Sequence, residues 1–262
     1  MSGAGSVLRL AARPRLRDGA LLLAFDGWND AGGAATLAAR HLSESIGATP
    51  FGDLDPEELY DFTVRRPTVR LAPDGTREIA WPQNELRHGP IGAERDLVIG
   101  LCVEPHLRWR AYGDAILELV RALALSRVVL LGAHLADVVY SRPVVVTGFA
   151  SEPALLARVG VSGTSYQGPT GIVGVLADRL IREGVETTSL WAGLPHYIGV
   201  SPNPRGALAL VRCVEALLGF RVDEGPLVRE SASFDERVGE LVASDPELSE
   251  YVRQLKRREF AQ

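Results

Sequence analysis

Five short apolar runs constrain this chain more than any other feature. Residues 20–25 (ALLLAF), 96–103 (DLVIGLCV), 127–132 (RVVLLG), 144–149 (VVVTGF) and 187–191 (TTSLW) lack the strict alternation of a strand that is wet on one side. Strands of that kind are covered on both faces. Between them run longer stretches with helical spacing, at 32–46, 108–124, 152–159, 170–183 and 203–219. The alternation predicts an α/β protein with a three-layer α/β/α core and a largely parallel sheet. A chain of 262 residues is long enough to bury one large core with an appended element. We place the core at 1–220 and a linker with a C-terminal helical lid at 221–262.

Two segments break the rhythm. Residues 60–82 (YDFTVRRPTVRLAPDGTREIAWP) carry Thr, Val and Arg in alternation on either side of Asp74-Gly75, a strong hairpin signal. They predict a β-hairpin inserted between the first helix and the second core strand. Its valines suit an oligomer contact, although a solvated hairpin fits the same pattern. Residues 221–262 read as a linker followed by two helices, with Ser233 and Asp245 as N-caps and Pro246 in the first turn of the second. Their apolar positions are too few to fold alone and must pack on the core or on another subunit.

Composition excludes several classes. The formal net charge is −5, with no basic excess for a nucleic-acid surface. No apolar stretch is long enough for a membrane span or a signal peptide, so cytoplasmic residence is the expectation. Of 28 basic residues only Lys256 is a lysine, so the core offers none for a Schiff base or a Walker-type phosphate loop. Cys102 and Cys213 sit in apolar runs without a CxxC neighbour and read as buried small hydrophobes. No cofactor is expected.

In an open parallel sheet, ligands gather outside the carboxyl ends of the strands. Polar residues concentrate at those ends here. Asp26, Gly27, Trp28, Asn29 and Asp30 follow the first run, Glu104 and His106 the second, and His134 and Asp137 the third. Tyr166, Gln167 and Thr170 precede a helix, and His196, Tyr197, Ser201, Asn203 and Arg205 follow the last run. Each has two readings. Asp26 and Asn29 either shape a turn or face a ligand, and Asp30 either does so or caps the next helix. Gly32 and Gly33 either let the helix approach the sheet or free backbone N–H groups for an anion. His134 and Asp137 share a face but fall short of a metal set, so no metal is expected. The expected pocket is lined by Asp26, Asn29, Asp30, Gly32, Gly33, His134, Asp137, Tyr166, Gln167, Thr170, His196 and Asn203. The C-terminal helices are its natural cover. No G-x-S-x-G elbow is present to mark a hydrolase.

Four blocks, AFDGWNDAGGAAT (24–36), GAHLADVVYSRPVVVTGFA (132–150), YQGPTGIVGVL (166–176) and LPHYIGVSPNPRGALALV (194–211), together resemble the proteasome-assembly-chaperone family in its actinobacterial form. The resemblance spans roughly residues 6–220. It implies a phosphorylase/hydrolase-like core akin to purine nucleoside phosphorylases and peptidyl-tRNA hydrolases. It also implies a homo-oligomer, a trimer, without an assigned activity. Eukaryotic members help assemble the proteasome α-ring, and some archaeal relatives engage proteasomes through a C-terminal hydrophobic–tyrosine–any tail. This sequence ends Phe260-Ala261-Gln262, with alanine where such a tail has tyrosine, so docking on a proteasome through the tail is not expected. The expected function is that of a small-molecule- or protein-binding homo-oligomer with a strand-end pocket. The alternative is a hydrolase or transferase using Asp26, His134 and His196.

Overall fold

A computed structural model describes residues 7–260; Ala261, on which the tail expectation rests, lies outside the described residues. In chain order the strands are β1 (Leu8–Leu10), β2 (Ala20–Asp26), β3 (Thr49–Leu54), β4 (Thr68–Leu71), β5 (Arg77–Ala80), β6 (Glu85–Pro90), β7 (Asp96–Val103), β8 (Arg127–Ala136), β9 (Val146–Ala150), β10 (Ser162–Gly163) and β11 (Glu186–Pro195). The helices are α1 (Ala34–Ser45), α2 (Trp109–Ala122), α3 (Pro153–Arg158), α4 (Ile172–Arg182), α5 (Pro204–Leu218), α6 (Gly225–Ser244) and α7 (Pro246–Phe260).

Nine strands form one sheet in the order β1-β3-β6-β7-β2-β8-β11-β9-β10. The central quartet β7-β2-β8-β11 is parallel throughout. Antiparallel pairs extend it on both flanks, through β6 on one side and β9 on the other. The apolar runs alternate between two buried faces. Leu21, Leu23, Phe25, Val98, Val128 and Leu130 pack beneath α2 and α4. Leu22, Ala24, Ile99, Val129, Leu131 and Leu190 pack beneath α1, α3 and α5. Each leucine withdrawn from water in this way stabilises the fold by roughly 2 kcal/mol.

The small residues after β2 now have a packing reason. Ala34, Ala35, Ala38 and Ala39 of α1 are fully buried. A Cβ added at Gly206 of α5 would come within 2.9 Å of Ala34 Cβ. The two helices therefore cross at backbone distance, and alanine and glycine permit it.

β4 and β5 pair antiparallel as a separate two-stranded ribbon, turned through Asp74-Gly75. Asp245 caps α7 as the sequence predicts, its Oδ1 accepting from the N–H groups of Glu247 (2.9 Å) and Leu248 (3.1 Å). Ser233 caps nothing. It lies inside α6, whose buried face of Leu227, Ser231, Phe234, Val238 and Val242 runs straight through it from a start at Gly225. Cys213 is only half-buried, unlike Cys102. No helix among the described residues is long and apolar enough to cross a membrane.

Candidate functional site

The junction after β2 is held together by its own polar groups. Asp30, 7% exposed, turns its carboxylate onto the start of α1. Its Oδ1 accepts from Ala35 N–H (2.6 Å) and its Oδ2 from the Thr36 hydroxyl (2.5 Å). Burial raises the pKa of this carboxyl above the ordinary value, against the opposing pull of those hydrogen bonds. Of its two readings, the helix cap is the one realised. Asn203 does the same for α5, where its Oδ1 accepts from Gly206 N–H at 3.0 Å.

Gly32 stands at φ 57°, and a Cβ there would approach Asn203 Cβ to 3.0 Å. Its carbonyl accepts from Asn203 N–H at 2.7 Å. Left-handed backbone pressed against a neighbouring turn is a position for glycine. The tight approach, and not an anion cradle, accounts for it.

Asn29 is fully buried and donates from Nδ2 to Glu104 Oε1 at 2.6 Å. Glu104 also accepts from Trp28 N–H (3.2 Å) and from Ile172 N–H (2.9 Å), the first amide of α4. One carboxylate thus ties the end of β7 to the turn after β2 and caps α4 from across the sheet. A Cβ at Gly171 would sit 2.2 Å from Asn29 Oδ1, so the helix start is fitted to this cluster. Glu104 follows an apolar run directly, as Asp26 does, but it is missing from the expected pocket; its position at a strand end is the signal that could have found it. Asp26 itself pairs with Arg65 at 2.5 Å, linking β2 to the segment that leads into the hairpin.

The two histidines have different surroundings. His134 shares a side of β8 with Leu130 and Gly132, the side of α2 and α4, and its ring lies 6.4 Å from that of Trp191. Its edge reaches solvent, yet the surrounding sheet desolvates the ring and lowers its pKa below that of a free histidine. His196 lies in the exposed turn directly after β11, beside α7. Its Nε2 lies 3.0 Å from Asp137 Oδ1 and 2.9 Å from the Tyr251 hydroxyl of α7. Its ring stands edge-on to Tyr197 and Tyr251.

The three residues of the expected crevice have no partner in common: Trp191 stands beside His134, Asp137 and Tyr251 beside His196, and Arg65 pairs with Asp26. α6 and α7 pack Phe234, Val238, Val242, Val252 and Leu255 against Val139 and Ile198. A cavity of about 20 Å³ remains beside Phe234, Asn203 and Arg205, room for a single water. Tyr166, Gln167 and Thr170 lie on an exposed loop, where the Tyr166 hydroxyl donates to Pro169 O at 3.0 Å. Burial pushes the Cys102 thiol up to about 12, which removes it as a nucleophile.

Among the described residues, Asn29 Oδ1 is buried in the Glu104 cluster without a hydrogen-bond partner, and a large exposed apolar surface lies apart from it. In the β4–β5 register Val69 faces Ile79 and Leu71 faces Arg77. Val69, Leu71, Ile79 and Arg77 consequently share one side of the ribbon, with Arg70 and Glu78 on the other, and Val69, Leu71, Ile79 and the Trp81 that follows β5 are 59%, 74%, 59% and 46% exposed. Phe62 packs edge-on against Trp81 at 5.0 Å and marks the base.

A family model described as the PAC2 family matches residues 24–242. A PAC2 family protein from Streptomyces avermitilis is 41% identical, with a TM-score of 0.83 over 89% of this chain and 99% of that one. A proteasome-assembly chaperone homologue from Mycobacterium tuberculosis is 40% identical, with a TM-score of 0.81 and the same coverage. An archaeal proteasome activator from Pyrococcus furiosus shares the fold at 17% identity, with a TM-score of 0.70 over 89% of this chain and 97% of that one. No curated protein matches the chain.

Proposed function

This chain belongs to the PAC2 family, and from that membership we propose that it works as a protein-binding homo-oligomer, a trimer, joined through the β4–β5 hairpin and without catalysis of its own. The observation that carries the reading is the ribbon's apolar side, exposed at Val69, Leu71 and Ile79 and continued by Trp81. Such a patch, on the order of 500 Å², is at the upper end of what a monomer leaves wet.

The strand-end residues support the same reading from the other direction. Asp30, Asn203 and Glu104 are engaged as helix caps, Asn29 is held by Glu104, and Asp26 is paired with Arg65. A hydrolase or transferase would need Asp26, His134 and His196 to converge on one reacting atom. The cavity beside Phe234, Asn203 and Arg205, at about 20 Å³, holds a water and not a ligand of substrate size. Protein binding, the class of role that the Mycobacterium relative's description names, is the reading we extend to this chain.

Light scattering tests it. The intact chain is expected at three times its own mass. A variant with 66–80 replaced by a short Gly-Ser turn, which keeps Arg65 for Asp26, is expected at the mass of one chain with its thermal midpoint retained. An intact chain that stays single, or a variant that stays assembled, overturns the proposal.

A further inference from the structure

Beside the ribbon lies a groove of about 620 Å³, running along the outer strands β1, β3 and β6. Pro50, Phe51, Leu54, Pro56, Trp81 and Pro82 give it apolar walls. None of residues 68–80 lines it, so the chain does not fill its own groove. Trp81 belongs to both features, standing at the groove's end and directly after β5 of the ribbon. The exposed apolar surface is therefore continuous from the projecting hairpin into the hollow next to it.

The two features carry opposite charge. Residues 65–78 hold Arg65, Arg66, Arg70 and Arg77 against Asp74 and Glu78, a positive ribbon on a chain whose formal net charge is −5. The groove is lined by Asp53, Asp55, Glu57 and Glu85 against Arg9 alone. Arg9 is taken up by Asp53 (2.7 Å) and Asp55 (3.1 Å), and Arg87 reaches Glu85 at 3.0 Å. Among the described residues neither Glu57 in the groove wall nor Arg66 and Arg70 on the ribbon is given an ion-pair partner.

We infer that the hairpin of one copy seats in the β1–β3–β6 groove of the next copy, its apolar side on the walls and Arg77, which shares that side, toward the carboxylates. This rests on the self-association proposed above and names the surface that receives the hairpin. A ribbon that fits a different patch makes a head-to-tail contact, the kind that closes into a ring when the rotation allows. The ribbon's apolar side supplies roughly half of the ~800 Å² per partner that a stable interface buries. The ribbon backbone and arginines supply the rest. The charges set orientation and partner choice more than affinity, and their effect is strongest at low ionic strength.

The test is a charge exchange read as the dissociation constant between copies, from sedimentation velocity across a dilution series at low salt. Arg66→Glu with Arg77→Glu reverses the ribbon, and Glu57→Arg with Glu85→Arg reverses the groove. Each pair is expected to weaken association at least tenfold with the thermal midpoint unchanged. All four substitutions in one chain are expected to return it to within about threefold of the parent, because contacting charges couple and distant ones add. If Glu85→Arg unfolds the chain, Glu57→Arg with Arg77→Glu makes the same comparison. Two weakened pairs whose combination is weaker still, or pairs with no effect, overturn the groove as the seat. Failure of the 66–80 replacement to separate the copies overturns the self-association reading instead, so the two failures are distinguishable. Recovery by added salt of the parent, with no coupling between the pairs, assigns the groove to a foreign basic segment and likewise overturns the inference.

Discussion

Replacing Glu104 separates a structural strand-end cluster from a ligand site. Its carboxylate accepts from Asn29 Nδ2, Ile172 N–H and Trp28 N–H at 2.6, 2.9 and 3.2 Å. Glu104→Ala leaves a fully buried asparagine amide without its acceptor and the first amide of α4 uncapped. A hydrogen bond to a charged group contributes about 1.5–3 kcal/mol, and loss of a helix cap costs about 1 kcal/mol. The contacts share one carboxylate, so the expected loss is about 3 kcal/mol. For a chain of this size that lowers the thermal midpoint by roughly 6–12 °C. Glu104→Gln keeps an acceptor oxygen and is expected to lose only about 1 kcal/mol. Calorimetry or thermal circular dichroism reads both. A Glu104→Ala midpoint within about 1 °C of the parent would refute the reasoning.

Asp30→Ala is expected to cost about 1–2 kcal/mol through the loss of the α1 cap, and Asp30→Asn less, because an acceptor remains. Burial raises the Asp30 pKa, so between the unfolded carboxyl value of about 4 and the raised native value the folded chain holds more protons than the unfolded chain. Stability from this group therefore falls as pH rises through that window and is level above it; an Asp30→Asn variant that keeps the parent's slope contradicts the assignment. Phe234→Ala, at a side chain 3% exposed between α6, α7 and the core, is expected to cost about 3–5 kcal/mol while leaving the oligomer mass unchanged. Dissociation of the copies by that variant would place the C-terminal helices in the interface and contradict the role given to the hairpin.

The central quartet was legible because its strands are covered on both faces, which writes them as unbroken apolar runs. The flanking strands were not. β3 reads TPFGDL and β6 reads ELRHGP, where Pro50, Gly52 and a half-covered face erase the pattern. The hairpin was legible because Asp-Gly is a local signal that needs no tertiary context. Ser233 misled because serine before an apolar stretch looks the same at a cap and inside a helix, and the earlier start at Gly225 carries Pro226 as its only strong mark. The strand-end residues were recognised as a set, but their roles depend on their partners. Sequence places His134 and His196 near strand ends, while the structure puts the first inside β8 beside Trp191 and the second in the turn after β11 beside Asp137 and Tyr251. Glu104 illustrates the same limit: two of its three partners, Trp28 and Asn29, come from the turn after β2 and the third, Ile172, from α4, far from it along the chain.

The account turns on whether the β4–β5 ribbon is covered when the protein is at work. Backbone hydrogen exchange of residues 68–80 at two protein concentrations measures this on the unaltered chain. In a single copy the ribbon is exposed on both sides apart from Ala80, which is partly covered, and its amides are expected to exchange rapidly. If copies associate through it, those amides are slowed at high concentration and released on dilution, while β2, β7 and β8 exchange slowly at both. Rapid exchange of the ribbon at every concentration, in a chain that nonetheless sediments as an oligomer, would contradict the hairpin as the joining surface.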